Sequence, residues 1–281
     1  MNKQLPVTRL SLEAFDEYTN LREYFPEEFA FVVLTGKNGS GKTSFLNAIS
    51  KVKNNITPIY VHKGVQSEVL TENWMEWGYT NLNSIRYNEV YNLLAKIVPN
   101  YTHTEKYFKL KFTLRYFSDG QKKIMFIVIN MLSNLFNIKH NKDVRLANLR
   151  GIVLIDDIEN YLCPSWQKEF VRLLGEFFPK VQFIVTTNSA VTFLGLPNNS
   201  IAYRVTNNVE QGIRANLVNI DFANLMPNHL LSSPLFDLDI IPTSNTDTNK
   251  IATTDTYSEH VARQEMTEKL QQLANKLNER K

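Results

Sequence analysis

Eight consecutive residues constrain this chain more than any others: Gly36-Lys37-Asn38-Gly39-Ser40-Gly41-Lys42-Thr43. Before them, Phe29 to Thr35 is an uncharged apolar and β-branched run, as expected of a strand buried on both faces of a mainly parallel sheet. After them, Thr43 to Val52 carries Phe45, Leu46, Ile49 and Val52 on one helical face. Strand, glycine-rich turn and helix, in that order, is the setting a phosphate-binding loop of the form G-x-x-x-x-G-K-[ST] requires. Gly36, Gly39 and Gly41 allow the backbone to curl until consecutive amide hydrogens, those of Lys37, Asn38, Ser40 and Ser44 among the candidates, point inward at an anion. The Lys42 ammonium is placed to bridge the outer two phosphates, and the Thr43 hydroxyl to coordinate Mg²⁺. The positive end of the helix dipole lies beneath the anion. The expected ligand is a nucleoside triphosphate, ATP, with Mg²⁺.

The other half of such a site needs a carboxylate at the end of a neighbouring buried strand, where it can hold Mg²⁺ directly or through water. Val153-Leu154-Ile155-Asp156 fits, with Asp156 facing Thr43. Further strands are predicted at Thr8–Leu12, Phe112–Tyr116, Ile152–Ile155 and Gln182–Thr186. Ile201–Val205 and Gly212–Val218 read as a closing antiparallel pair. Helices are predicted near Asn88–Val98, over Ser118–Asn134, and after Pro164, the last carrying Trp166, Phe170, Leu173 and Phe177. Strands alternating with helices give an α/β fold with a mainly parallel central sheet, antiparallel additions and a C-terminal helical tail. The expected organisation is an ATPase domain over residues 1–241 with a short insert at 54–107. A polar linker at 242–256 follows, then a helix at 257–281 in which Met266, Leu270, Leu273 and Leu277 form a heptad stripe.

The bounds are broad. The chain has 281 residues, 43% of them hydrophobic, which suffices for one large core. Its longest apolar runs fall well short of the roughly 20 residues a membrane-spanning helix needs, and Met1 to Leu12 does not read as a secretory signal. A single cysteine, Cys163, excludes an internal disulfide and favours a cytoplasmic setting. The net charge of +3 is a weak indication of nucleic-acid affinity.

Phe117-Ser118-Asp119-Gly120-Gln121 resembles the L-S-x-G-Q signature of ABC ATPases, and the order phosphate loop, signature, acidic strand is that family's. The run Leu154-Ile155-Asp156-Asp157-Ile158-Glu159-Asn160-Tyr161-Leu162-Cys163-Pro164-Ser165-Trp166-Gln167 is similar to the L-I-D-E-I-E-x-H-L-H-P-x-W-Q of RecF-like and SMC-like bacterial ATPases, the AAA-21 or overcoming-lysogenization-defect type. Phe183-Ile184-Val185-Thr186-Thr187-Asn188-Ser189 resembles their F-I-V-T-T-H-S switch strand. The resemblance covers most of Thr8 to Thr192, and Leu230 to Leu238 resembles the C-terminal part of Septu-type members. It implies an ABC-type ATPase head in which Ser118, Asp119, Gly120 and Gln121 touch nucleotide held by a second protomer, giving a homodimer closed around ATP. Members include ATPase subunits of the Septu and retron anti-phage systems, where the ATPase accompanies a nuclease.

The chain departs from this pattern where hydrolysis is performed. Asp157 stands where the family has a Glu that orients or deprotonates water, Asn188 where it has the switch His, and Tyr161 with Cys163 where it has two His. Asp is one methylene shorter than Glu, and Asn cannot act as an acid or base near neutral pH. Asp157 and Asn188 remain the candidate catalytic residues, with slow or absent turnover expected. The leading expectation is an ATP-binding sensor or scaffold subunit of an anti-phage complex that controls an effector such as a nuclease. The alternatives are the nucleotide-binding subunit of a membrane transporter and a RecF-like repair ATPase acting on DNA. The insert is too short for a long coiled-coil arm, so partner contacts, nucleic acid among them, are expected from the compact lobe, the basic loop Lys139–Arg150 or the tail.

Overall fold

A computed structural model describes residues 29–51, 59–61, 84–98, 117–142, 144–208, 212–219, 226–236, 261–263, 265–267 and 269–272. The chain divides into two compact units, Met1–Ala223 and Asn224–Lys281, a division falling inside the 1–241 domain expected above. The strands predicted at Thr8–Leu12 and Phe112–Tyr116, and the linker at 242–256, lie outside the described residues.

In the first unit the elements are β1 (Phe31–Thr35), α1 (Lys42–Lys51), β2 (Ile59–Val61), α2 (Ser84–Ile97), α3 (Asp119–Asn137), β3 (Gly151–Ile155), α4 (Pro164–Phe177), β4 (Val181–Thr186), α5 (Ala190–Phe193), β5 (Ser200–Asn208) and β6 (Gly212–Val218). The strands form one six-stranded sheet in the order β2-β3-β4-β1-β5-β6. Every pairing is parallel except β5 with β6, which run antiparallel through the pairs Ala202↔Val218 to Asn208↔Gly212. The fold class is therefore as read: mixed α/β, mainly parallel, with one antiparallel addition.

The uninterrupted apolar runs of β1 and β4 follow from this architecture, since every residue of both strands is buried and helices cover both faces. On one face Phe45, Leu46, Ala48 and Ile49 of α1 pack with Val32, Leu34, Ile152, Leu154 and Ile184. On the other, Phe31 stacks on Phe183 with ring centroids 4.9 Å apart, Phe178 meets Phe183 edge-on at 6.4 Å, and Gly175 of α4 lies over Phe31. β1 is thus held between β4 and β5 in the middle of the sheet, and the loop that leaves it has a rigid base.

Two boundaries moved. α2 begins at Ser84 rather than near Asn88, and α3 extends three residues past Asn134. The insert region also contributes a strand not expected from the sequence: β2 pairs parallel with β3 through Ile59↔Val153 to Val61↔Ile155. Three residues are too few to show a period of two, so only the neighbouring strand makes them β. In the second unit a short helix, α6, spans Pro227–Leu231, and Met266 and Leu270 of the C-terminal stripe are exposed.

Candidate nucleotide site

The carboxyl ends of β1, β3 and β4 carry the site, because the parallel register sets them side by side. Ile155↔Val185 and Leu34↔Thr186 pair across the three strands. The next residues, Gly36, Asp156 and Thr187, therefore leave the sheet at one edge, the position where ligands bind in open α/β sheets.

Gly36, Gly39 and Gly41 have φ values of 149°, 81° and 93°, a backbone range that strains any side chain. At Gly36 space is also short: a Cβ there would lie 2.2 Å from the Val205 carbonyl oxygen. The curl closes with the Ser40 N–H donating to the Lys37 carbonyl at 3.1 Å, and the Phe45 N–H to the Gly41 carbonyl at 2.8 Å as α1 starts. No acid occupies the first turn of α1, so nothing there opposes an anion at the helix dipole. Lys42 is 7% exposed and its ammonium donates to the Gly36 and Lys37 carbonyls at 2.7 and 3.1 Å. The loop thus holds its own cation over its mouth.

Thr43 and Asp156 meet as predicted. The Thr43 hydroxyl lies 3.2 and 3.1 Å from the two Asp156 carboxylate oxygens, and Asp156 is fully buried. A third residue completes the arrangement. The Thr186 hydroxyl donates to Asp156 Oδ1 at 2.7 Å and accepts the Asp157 N–H at 2.7 Å. Since an ionised carboxylate only accepts and a backbone N–H only donates, the hydroxyl proton goes to Asp156 and an oxygen lone pair takes the Asp157 N–H. Thr186 was read from the sequence only as part of a switch strand. The usable signal was its register, one strand over from Asp156.

These residues fit Mg-ATP. Ser40 has a buried hydroxyl without a hydrogen-bond partner, the glycine curl offers amide donors, and Thr43 beside a buried carboxylate is a hard oxygen pair of the kind Mg²⁺ takes together with water and phosphate. Among the described residues no group of three or more His, Cys, Asp and Glu could hold a metal ion. Thr43 and Asp156 are the residues that would hold Mg²⁺.

Asp157 has φ 47° and Tyr161 φ 66°, left-handed values that cost a non-glycine residue roughly 1–2 kcal/mol each. Between them the loop is fastened on several sides. The Glu159 carboxylate accepts the Asn188 N–H at 2.8 Å, Asn160 Nδ2 donates to Asp157 Oδ2 at 3.4 Å, and Gln167 joins the Leu162 carbonyl at 2.8 Å to the Ser189 hydroxyl at 2.5 Å. Asn188 itself is exposed. Glu159 and Gln167, quoted above only as part of a resemblance, are the residues that tie the loop after β3 to the end of β4.

The signature residues have a local role as well. Ser118 caps α3, its hydroxyl accepting the Gln121 N–H at 3.3 Å while the Gln121 side-chain oxygen accepts the Ser118 N–H at 2.8 Å. This reciprocal pair satisfies two orphan donors of the helix start. Asp119 is exposed and pairs with Lys122 at 3.6 Å. At Gly120 a Cβ would lie 2.6 Å from the Tyr161 carbonyl oxygen, so the signature helix abuts the strained loop.

Residues 71–194 match the family described as "AAA domain, putative AbiEii toxin, Type IV TA system". The likeness to that family thus extends over less than half of this chain. The matched stretch takes in the signature, β3 with its acids and the end of β4, while the phosphate loop precedes it. The Septu protein PtuA of Bacillus thuringiensis is 29% identical over 108 residues, covering 38% of this chain and 26% of that protein. The retron Ec83 probable ATPase of Escherichia coli is 39% identical over 72 residues, covering 26% of this chain and 13% of that protein. The chain thus spans about a quarter or less of the length of these relatives. Among solved structures, an SMC head bound to the C-terminal winged-helix domain of ScpA aligns with a TM-score of 0.46 at 12% identity, covering 70% of this chain and 92% of that one. Among the described residues no helix is long and apolar enough to cross a membrane.

Proposed function

We propose that this protein is an ATP-gated subunit of a cytoplasmic anti-phage defence complex, closing as a homodimer around Mg-ATP and thereby controlling an effector such as a nuclease. The observation that carries the reading is the Thr43–Asp156–Thr186 cluster beside a glycine curl whose lysine is held over it. The names of the similar proteins, a Septu protein and a retron ATPase, support the defence setting. In this reading Gly36 to Ser44 grip the phosphates, Thr43 and Asp156 hold Mg²⁺, and Ser118, Asp119, Gly120 and Gln121 approach the nucleotide of the second copy. Bound Mg²⁺ supplies charge neutralisation on the phosphate oxygens.

Turnover is slow in this proposal. The Asp157 carboxylate accepts from Asn160 across the short loop, and Asn188 offers no titratable group, so water is neither well oriented nor deprotonated. Misplacement on the scale of one methylene costs on the order of 100-fold in rate.

The experiment is mass measurement in solution with and without Mg-ATP, run beside Lys42→Ala, together with turnover of the wild type and of Asp157→Glu/Asn188→His. We expect the wild-type mass to double with nucleotide, the Lys42 variant to stay at the starting mass, and the double variant to turn over faster. An unchanged wild-type mass at saturating Mg-ATP defeats the assembly part; brisk wild-type hydrolysis defeats the slow-turnover part. Co-purification with a membrane protein would favour a transporter subunit instead.

A further inference from the structure

We propose that the amino-end edge of β3 and β4, opposite the nucleotide site, docks the sugar-phosphate backbone of duplex nucleic acid. The loop from 139 to 150 carries four cations, Lys139, Lys142, Arg145 and Arg150, against the single carboxylate of Asp143 in its sequence. Such a run is ordinarily a solvated loop. Here it is built. Asn141 is fully buried, its Nδ2 donating to the Leu135 and Arg150 carbonyls at 2.9 and 2.8 Å while its Oδ1 accepts the Arg150 N–H at 3.0 Å. One side chain therefore pins both ends of the loop. Leu146 and Leu149 are buried beneath it, and the Leu146 N–H donates to Glu89 at 3.0 Å.

The strand register extends the patch. Gly151 pairs with Val181, which sets Arg150 beside Lys180, and the Lys180 ammonium reaches Asn148 Oδ1 at 2.6 Å. Lys139, Lys142, Arg145, Arg150 and Lys180 are all exposed. Glu89, at 3.7 Å from Arg145, offsets one of them. These cations stand on a preordered ridge, where holding them in place costs little side-chain and loop entropy on binding.

The occupant follows from what the ridge lacks. Its described exposed residues are cations, Asn137, Ala147, Asn148 and Pro179, with no exposed aromatic or large aliphatic side chain among them. Protein interfaces enrich aromatics and Met at their centre and deplete Lys. Single strands are held by stacking bases on aromatic rings. Charge and hydrogen-bond donors without rings suit a phosphodiester backbone contacted without sequence preference. A five-residue strand sets the ridge roughly 17 Å from Asp156, beyond the Debye length of about 8–10 Å in physiological salt. Duplex and nucleotide can therefore bind together.

The test uses the full chain without nucleotide and a fluorescent duplex of arbitrary sequence, about 30 base pairs long, titrated from about 50 to 200 mM salt. We expect a log–log salt slope near −4. Lys139→Gln/Lys142→Gln/Arg150→Gln should weaken binding by ~30-fold at the lowest salt and flatten the slope by about 3, since each phosphate contact contributes about one unit. The charge-keeping set Lys139→Arg/Lys142→Arg/Arg150→Lys should bind within about threefold of wild type, which separates lost charge from lost fold. No wild-type binding at low salt, equal binding by the glutamine set, or tighter binding of a single strand of the same length would each overturn the proposal. So would capture of polyglutamate in place of the duplex, which would mark an acidic protein as the occupant.

Discussion

Two neighbouring strands, β3 and β4, end in two different ways. At their carboxyl ends the polar groups are buried and bonded to one another: Asp156 is fully buried between the Thr43 and Thr186 hydroxyls, and Lys42 folds onto its own loop. At the amino ends of β3 and β4 the charged groups are exposed, and the loop that carries them is held by buried neutral residues, Asn141 with Leu146 and Leu149. The first arrangement is specific because a buried carboxylate must have its partners satisfied, so each substitution leaves a costly orphan. The second is tolerant, since exposed cations are solvated with or without a ligand. One end should therefore fail stepwise and steeply under mutation, the other gradually and with salt.

Substitutions at the nucleotide end sharpen this contrast. The largest effect is expected from Gly36→Ala. Its Cβ would sit 2.2 Å from the Val205 carbonyl at a φ of 149°, and the rigid sheet cannot yield, so loss of soluble protein or destabilisation beyond about 3 kcal/mol by chemical denaturation is expected. Lys42→Ala comes next. In the proposed site it removes the ammonium that would meet the phosphates, and it should lower Mg-ATP affinity by about 100-fold in calorimetry.

A smaller loss is predicted for Thr186→Val, which keeps shape but removes the hydroxyl serving both acids. It should cost about 1–3 kcal/mol of stability, because the Asp157 N–H and one bond to Asp156 are left unmade. The same variant should also raise the Mg²⁺ concentration needed for ATP binding. A purely structural hydroxyl would lower the melting temperature and leave that requirement alone. A smaller effect belongs to Gly39→Ala, where nothing lies within 4 Å of the new Cβ but φ is 81°; about 1 kcal/mol is expected. Were Gly36→Ala and Gly39→Ala to cost the same, the close approach of Val205 would not be what fixes the loop.

The strained loop sharpens the comparison from another side. Ser118-Asp119-Gly120-Gln121 reads as a nucleotide-contacting signature by resemblance, yet in this chain the Ser and Gln cap a helix and the Gly admits the Tyr161 carbonyl. Both requirements act on the same residues. Ser118→Ala should therefore lower stability by about 1 kcal/mol through the lost cap, whatever it does to nucleotide binding across two copies.

Much of the carboxyl-end site was legible because its parts are local. The eight residues Gly36 to Thr43 carry glycines at positions whose backbone demands them, and a four-residue apolar run ending in Asp156 announces its strand. The helix boundaries at Ser84 and Asn137 were missed by a few residues, as terminal turns depend on packing more than on pattern. Thr186, Glu159 and Gln167 were not legible as site residues, since a Thr ending a buried strand, or a Glu and a Gln near a helix start, carries no local mark of function.

The sequence by itself determined the phosphate loop, the acid opposite it and the alternation that makes a parallel sheet, because backbone conformation and periodic burial are written into neighbouring residues. Only the tertiary structure decided that Ile59–Val61 is a strand, that Thr186 aligns both acids, and that Arg150 stands beside Lys180. Each of these is a contact between segments far apart in the chain, fixed by strand register, and register is a property of the assembled sheet.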